Sequence, residues 1–271
     1  MEHKKSFKIT TETYDVPFPN NYALPFHIFE RGDGCYIVDK AGDRFLDFGS
    51  GIAVNALGYG REDLASAAFD QMKKLIHVSN LYTTEPAIEL GFKLTSSGNF
   101  DAVHFGNSGS EANEAALKYA RLYSKRRKGE GTAKYQEPFE PLVPGVEFCA
   151  YNNAEELEAK LGPDFAAVIV EPVQGEGGLD VMTEAFAEKL NSLCAKLDVI
   201  LIADEVQTGI ARTGLPYASA AVGLRPDIIT LSKPLAGGLP LSATLIPEKI
   251  NKLVKAGEHG TTFGGGPASV S

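Results

Sequence analysis

The chain reads as an α/β protein with a mostly parallel central sheet covered by helices on both faces. Three observations predict this. Short, almost unbroken apolar runs at 165–170, 199–203, 227–231 and 241–246 have the pattern of strands buried on both sides. Amphipathic or alanine-rich stretches of helical period alternate with those runs. The chemistry-bearing residues sit where the runs end, and sheets of this kind bind ligands outside the carboxyl ends of their strands.

The elements follow in order. Residues 1 to about 34 carry Pro17, Pro19, Asn20, Asn21 and Pro25 and predict an irregular N-terminal arm. Residues 35–48 predict two short strands around the turn Asp39-Lys-Ala-Gly-Asp43. Apolar residues at three- and four-residue spacing predict helices near 61–77 and 85–96. A strand at 102–105 leads into a helix at 111–123 that is rich in Ala and Glu. The charged, glycine-containing stretch 124–134 predicts a solvated loop, with nothing periodic before Val146. The strand at 165–170 precedes a helix at 184–197, and the strands at 199–203, 227–231 and 241–246 complete the sheet.

Composition narrows the function classes. At 271 residues and 44% hydrophobic content there is room for one large domain with a two-faced sheet, or for two smaller ones. A formal charge of −9 argues against nucleic acid as a partner. No apolar run approaches membrane-spanning length, and the start Met-Glu-His-Lys-Lys-Ser-Phe has no signal-peptide core, so a cytoplasmic protein is expected. Cys35, Cys149 and Cys194 are scattered and odd in number; they read as reduced core thiols, with no metal site expected.

Two strings dominate the chemistry. Leu201-Ile-Ala-Asp-Glu-Val-Gln-Thr-Gly209 ends an apolar run in an acid, and Leu231-Ser-Lys-Pro-Leu-Ala-Gly-Gly238 ends another in a lysine. A carboxylate and a nucleophilic amine on neighbouring strand ends suit pyridoxal 5'-phosphate (PLP). The amine takes up the cofactor aldehyde, and the carboxylate keeps the pyridine nitrogen protonated. The interval from Asp204 to Lys233 fits one helix and one strand returning to the same sheet edge. Adjacent strand residues point to opposite faces, so only one of Asp204 and Glu205 serves a given site. Phe105-Gly-Asn-Ser-Gly-Ser-Glu-Ala-Asn113 follows a strand and opens a helix. Ser108, Gly109 and Ser110 there offer amide and hydroxyl donors where a phosphate is favoured. An ordinary helix start, with Ser108 or Ser110 as N-cap, has the same appearance.

These strings resemble the class III (ornithine/4-aminobutyrate-type) aminotransferases, most of all their acetylornithine subgroup. The resemblance runs from Tyr22 to Gly265. It implies PLP-dependent transferase fold type I, divided into an N-terminal arm and small-domain segment (1–55), a large PLP-binding domain (56–260) and the start of a C-terminal part (261–271). It implies Lys233 and Asp204 as catalytic residues, and Glu205 as structural. Val206 would pack on the cofactor ring and Gln207 would bond near its phenolic oxygen. In Val168-Ile-Val-Glu-Pro-Val-Gln-Gly-Glu-Gly-Gly178, Glu176 matches a substrate-site glutamate. In His259-Gly-Thr-Thr-Phe-Gly-Gly265, Thr262 matches a residue that reaches the cofactor phosphate of the second subunit, so a homodimer with shared sites is implied. Gly51-Ile-Ala-Val-Asn-Ala-Leu-Gly-Tyr59 resembles the segment lining the substrate entrance, and His77-Val-Ser-Asn-Leu-Tyr82 leans toward the acetylornithine subgroup.

The activity implied is transfer of an amino group from an ω-amino donor, N-acetylornithine, to 2-oxoglutarate, in arginine biosynthesis. Ornithine and 4-aminobutyrate are alternative donors. A truncated, non-catalytic PLP-binding relative is the rival reading, because two family parts have no counterpart in the string. These are a Phe-His-Gly-Arg-Thr-like segment expected near 124–134 and a C-terminal small domain of roughly a hundred residues.

Overall fold

The computed structural model describes residues 27–128 and 145–271. The expected arm up to residue 26, and the junction near 129–133 where the missing family segment belongs, lie outside the described residues. The chain forms two compact units: the described part of the first is 27–50 with 57–61, and the second is 51–56 with 62–271.

The first unit is a three-stranded antiparallel sheet of β1 (Phe29–Asp33), β2 (Tyr36–Asp39) and β3 (Arg44–Leu46), in the order β1-β2-β3. The sequence predicts β2 and β3 but places β1 in the irregular arm. Phe-Glu-Arg-Gly-Asp is too polar to read as a strand and is held by pairing with β2. The tight Gly34-Cys35 connection, with Gly34 at φ 56°, is the local signal for the hairpin. Asp39 fixes the next turn by accepting from the Ala41 and Asp43 amides at 3.0 and 2.9 Å. Its His27 hydrogen bond, first among the causes, holds its carboxyl below the usual range. Cys35 is exposed, Cys149 half-buried and Cys194 buried. Only Cys194 is the core thiol expected of all three.

The second unit holds the central sheet. Its strands are β4 (Ala102–Gly106), β5 (Ala167–Val170), β8 (Ile200–Asp204), β9 (Ile228–Leu231) and β10 (Ser242–Ile246). A small hairpin of β6 (Val173–Gln174) and β7 (Asp180–Val181) stands apart from it. The sheet order is β4-β10-β9-β8-β5. β5, β8 and β9 pair in parallel, while β10 is antiparallel to both β9 and β4. Four strands therefore run one way and β10 alone runs back. The sheet is mixed, with the parallel majority that the apolar runs predict.

Side-chain parity splits the core into two layers. Leu201, Ala203, Ile229, Leu231, Ala243 and Leu245 face one way, onto Leu94, Leu157, Phe186, Leu190 and Leu193. Those residues come from the helices Glu85–Thr95, Ala154–Lys160 and Glu184–Leu197. Ile200, Ile202, Ile228 and Ile246 face the other way, onto Ala115, Ala116, Tyr119, Ala120 and Tyr123 of the Gly109–Lys128 helix. Burying each Leu or Ile is worth about 1.5–3 kcal/mol. The Glu184–Leu197 helix begins where Thr183 Oγ1 accepts from the Phe186 amide and ends at Asp198 in the left-handed region. The Ala154–Lys160 helix has no long apolar period and escapes a sequence reading. Asn153, whose Oδ1 accepts from the Glu156 amide at 3.0 Å, is the cap signal that marks it. The Glu62–Lys74 helix has acids in its first turn and lysines in its last, but buries no residue in this chain. No described helix is long and apolar enough to cross a membrane.

His104 of β4 lies under the alanine-rich helix. Its ring is 4.5 Å from that of His259 and 5.8 Å from that of Tyr119. Burial, reinforced by His259 and Lys118 and opposed by Glu111, pushes its pKa down to about 4. An unfolded chain binds this proton near pH 6.5, the folded chain only near 4, so stability present above pH 6.5 is lost as pH falls toward 4. His104→Phe keeps the ring packing without the titration. The loss of Tm between pH 7 and pH 4.5 is expected to be smaller in this variant, by roughly 5 °C. Thermal melts across that range test it, and parallel Tm profiles for variant and wild type would refute it.

Candidate functional site

Asp204 and Lys233 come together as their strings predict. β8 and β9 are parallel neighbours, and Asp204 is the register partner of Thr230. Lys233 follows β9 at the same carboxyl end and opens a 3₁₀ turn, Lys233–Ala236. Its Nζ donates to Gln207 Oε1 at 2.6 Å, which brings a third predicted residue to the same place.

Asp204 is gripped through both oxygens. Oδ1 accepts from the Val206 amide at 3.0 Å, and Oδ2 accepts from Asn113 Nδ2 at 2.7 Å. Asn113 Oδ1 in turn accepts from the Thr230 hydroxyl at 2.7 Å. The sequence reading passed over Asn113 and Thr230. Thr230 is fully buried inside an apolar strand, and a polar residue in such a run is the signal that could have found it.

Glu205 points to the opposite face, as strand parity requires. It is fully buried, and its carboxylate accepts from Thr208 Oγ1 at 2.6 Å and from the amides of Ala218 and Ser219 at 2.9 and 2.7 Å. It ties the strand end to the start of the Ala218–Ala221 turn of helix.

The Phe105–Asn113 string turns directly from β4 into the long helix. Ser108 is the N-cap, its Oγ accepting from the Glu111 amide at 3.3 Å. The Glu111 carboxylate reaches back to both nitrogens of Asn107. The first turn is thereby fixed, while Ser108 and Ser110 stay exposed. Gly109 is pressed against Val206: a Cβ there would lie 2.6 Å from Val206 Cγ1. Ser108, Gly109, Ser110, Val206, Asp204, Gln207 and Lys233 therefore belong to one neighbourhood.

Two predicted residues stand apart. Glu176 is exposed in the turn between β6 and β7. Burial raises the pKa of nearby Glu171, the Gly175 amide and Lys233 oppose the rise, and the charges of Asp204 and Glu176 add to it. Glu171 is thus a further carboxyl in this electrostatic neighbourhood that sequence reasoning missed. Thr262 is exposed and lines a different cavity, of about 340 Å³, with His77, Asn80, Thr84 and Phe92. Its loop is pinned by Asn80 Nδ2 donating to Thr261 O at 2.5 Å, by the His77–Phe263 ring contact and by the Arg126–Glu258 ion pair.

The contrast between neighbours is testable. Glu205→Ala leaves two buried amides and a hydroxyl without acceptors and should cost about 3 kcal/mol. Asp204→Asn keeps the shape at a half-exposed position and should cost about 1 kcal/mol or less. Urea unfolding of both variants decides; equal losses would contradict the assignment of Glu205 to the scaffold.

The comparisons with known proteins agree on one family. The sequence profile of the class-III aminotransferases matches residues 18–136 and 129–271. The chain is 45% identical to a probable mitochondrial acetylornithine aminotransferase of Dictyostelium discoideum, over 89% of this chain and 59% of the relative. It is 41% identical to an acetylornithine aminotransferase of Archaeoglobus fulgidus, over 89% of this chain and 68% of the relative. Among solved structures, the ornithine δ-aminotransferase of Plasmodium falciparum superposes with a TM-score of 0.86 at 34% identity, over 93% of this chain and 67% of that one. The chain thus spans a little over half the length of the Dictyostelium relative. With the fold, the strand-end pair of Asp204 and Lys233 and these matches in agreement, the chain belongs to the class-III aminotransferase family.

Proposed function

We propose that the protein is a cytoplasmic, PLP-dependent aminotransferase that takes the amino group of an ω-amino donor, N-acetylornithine, and passes it to 2-oxoglutarate, as a step in arginine biosynthesis. The observation that carries the reading is the meeting of Lys233, Gln207 and Asp204 at one sheet edge, beside the start of the Gly109–Lys128 helix. The choice of donor follows the names of the relatives at 41% and 45% identity, both acetylornithine aminotransferases.

The residues present fit the cofactor. The absence of a Cβ at Gly109 lets the helix start lie directly against Val206, and the exposed Ser108 and Ser110 hydroxyls suit a phosphate. When bound, PLP supplies an aldehyde that takes up amines and a ring that accepts electrons. Lys233 Nζ would hold and return the proton at the reacting carbon, with Gln207 Oε1 accepting a hydrogen bond from that amine. Asp204 would offer a carboxylate to the ring nitrogen, Val206 would pack on the ring, and Glu176 would belong to the substrate side. We assign residues 56–260 to the PLP-binding domain, flanked by the small-domain segment 1–55 and the C-terminal start at 261–271.

We further propose a homodimer in which Thr262 completes the phosphate site of the second subunit. Two observations support it. Thr262 lies outside the Lys233 neighbourhood of its own chain, in the cavity with His77. The same unit also exposes Phe69, Met72, Ile76, Leu81, Tyr82, Phe92 and Phe263, more apolar surface than a monomer usually leaves open.

The first test is cofactor loading. Added PLP is expected to give a new absorption band, and borohydride reduction should place the label on Lys233. Transamination by Lys233→Ala should fall by about 10²–10⁴-fold or more. Initial rates with N-acetylornithine and 2-oxoglutarate should give parallel double-reciprocal lines. Label elsewhere, or intersecting lines, would refute the assignment. On a panel of amino donors, a faster rate with ornithine or 4-aminobutyrate would replace the substrate and keep the family chemistry. Sedimentation should report twice the chain mass.

A further inference from the structure

We infer that Asn113 and Thr230 form a relay that aims the Asp204 carboxylate, which makes both of them positioning residues for the cofactor ring. The inference rests on the assignment of Asp204 to the ring nitrogen.

The hydrogen-bond arithmetic fixes the relay. Thr230 has one hydroxyl hydrogen and two acceptors within reach: Asn113 Oδ1 at 2.7 Å and Asp204 Oδ1 at 3.5 Å. The short bond takes the hydrogen, since 3.5 Å is beyond a good hydroxyl bond. Asn113 must then present its oxygen to Thr230 and its NH₂ to Asp204 Oδ2, at 2.7 Å. Flipping the amide would set its oxygen 2.7 Å from a carboxylate oxygen, two acceptors face to face. The acceptor-only Asp204 carboxylate thus selects one of two amide orientations, and Thr230 holds the Asn113 side chain there by donating to the oxygen that this orientation turns toward it. The Val206 amide holds the other oxygen at 3.0 Å. Each carboxylate oxygen is held once by the protein and keeps acceptor capacity for a ring N–H.

The placement of the three residues gives the relay its use. Asp204 and Thr230 are register partners across β8 and β9, and both face the Gly109–Lys128 helix. Asn113 sits on that helix, one turn from Gly109 and Ser110. On β10, the next strand beyond β9, Thr244 Oγ1 donates to the Ala112 carbonyl at 2.9 Å and locks the same turn to the sheet. One short stretch of helix therefore sets both the phosphate end and the nitrogen end of the ligand. Lys233 hangs from the strand that carries Thr230. A fixed distance between phosphate donors and carboxylate is what preorganisation of a rigid pyridine ligand requires.

The test uses Thr230→Val, Thr230→Ser, Asn113→Ala and the double variant Asn113→Ala/Thr230→Val, each first compared with wild type by circular dichroism and Tm. Readouts are the PLP dissociation constant, from the absorption band that appears on binding, and the pH at which that band changes. Asn113→Ala removes one hydrogen bond to a charged group and Thr230→Val removes the bond that holds Asn113 in place, so each should weaken PLP binding about tenfold. Each should also move the titration of the band by about half a pH unit or more. Thr230→Ser keeps the hydroxyl and should stay within about twofold of wild type. The double variant should be no worse than Asn113→Ala alone, because Thr230 acts through Asn113. Additive losses would overturn the relay, as would single variants that load and titrate like wild type. If Thr230→Val fails to fold, Asn113→Ala against Thr230→Ser still decides, since the first must be impaired and the second not. A wild-type protein with no band and no label on Lys233 would remove the cofactor assignment itself, and the relay with it.

Discussion

The close seat of the Gly109–Lys128 helix on one face of the sheet is the constraint on which the rest depends. Ala112, Ala115, Ala116 and Ala120 are all at or near zero exposure on its buried side. Small side chains let the helix axis approach the strands, so the first turn sits low over the sheet edge. Only then can Asn113 reach Asp204, and Ala112 offer its carbonyl to Thr244. A leucine at any of these alanines would lift the helix by overpacking, at about 1–3 kcal/mol. It would also pull the turn at Ser108–Ser110 away from Asp204. The packing of the core and the geometry of the site are therefore one requirement, met by the same four alanines.

Strand parity then divides the labour between adjacent acids. Even-numbered positions of β8 and β9 face the alanine-rich helix, and odd-numbered ones face the layer of Leu190 and Phe186. Asp204 inherits the first face and Glu205 the second, which is why one carboxylate stays half-exposed while its neighbour is fully buried. Burying a carboxylate costs several kcal/mol unless its oxygens are satisfied. Three donors around Glu205 offset that cost. A one-residue register slip in β8 would exchange the two roles and destroy both.

Most of this was legible in the string because the informative signals are local. An apolar run ending in Asp204, and another ending in Lys233, state both the strand and the site at its end. The helices 184–197 and 85–95 carry their own periodicity, with a threonine cap before the first and a proline in the opening turn of the second. What stayed hidden depends on contacts distant in sequence. β1 is polar and exists through pairing with β2; the hairpin of β6 and β7 reads as a plain glycine-rich turn until its two short strands meet. Asn113 reads as an ordinary polar residue in the first turns of a helix, and Thr230 as a β-branched strand residue. Their role appears only when the fold brings positions 113, 204 and 230 together. Cys35 failed as a core thiol because it sits in the exposed hairpin connection between β1 and β2.

The predicted site residues also differ in how much structure holds them. Asp204, Val206, Gln207 and Lys233 sit at the ends of strands whose hydrogen bonds and packing leave little freedom. Glu176 and Thr262 sit on an exposed hairpin tip and an exposed loop. That division suits a two-substrate exchange. The groups that hold a permanent ligand need fixed distances, and are built on the sheet and the alanine-rich helix. Glu176, proposed for the substrate side, must adapt to successive substrates, and a hairpin tip provides that at low cost in core stability. The loop bearing Thr262 is nevertheless tied at Thr261, Phe263 and Glu258, on both sides of the threonine. Such anchoring leaves Thr262 itself free to point outward, as a residue must if it serves a ligand outside its own chain.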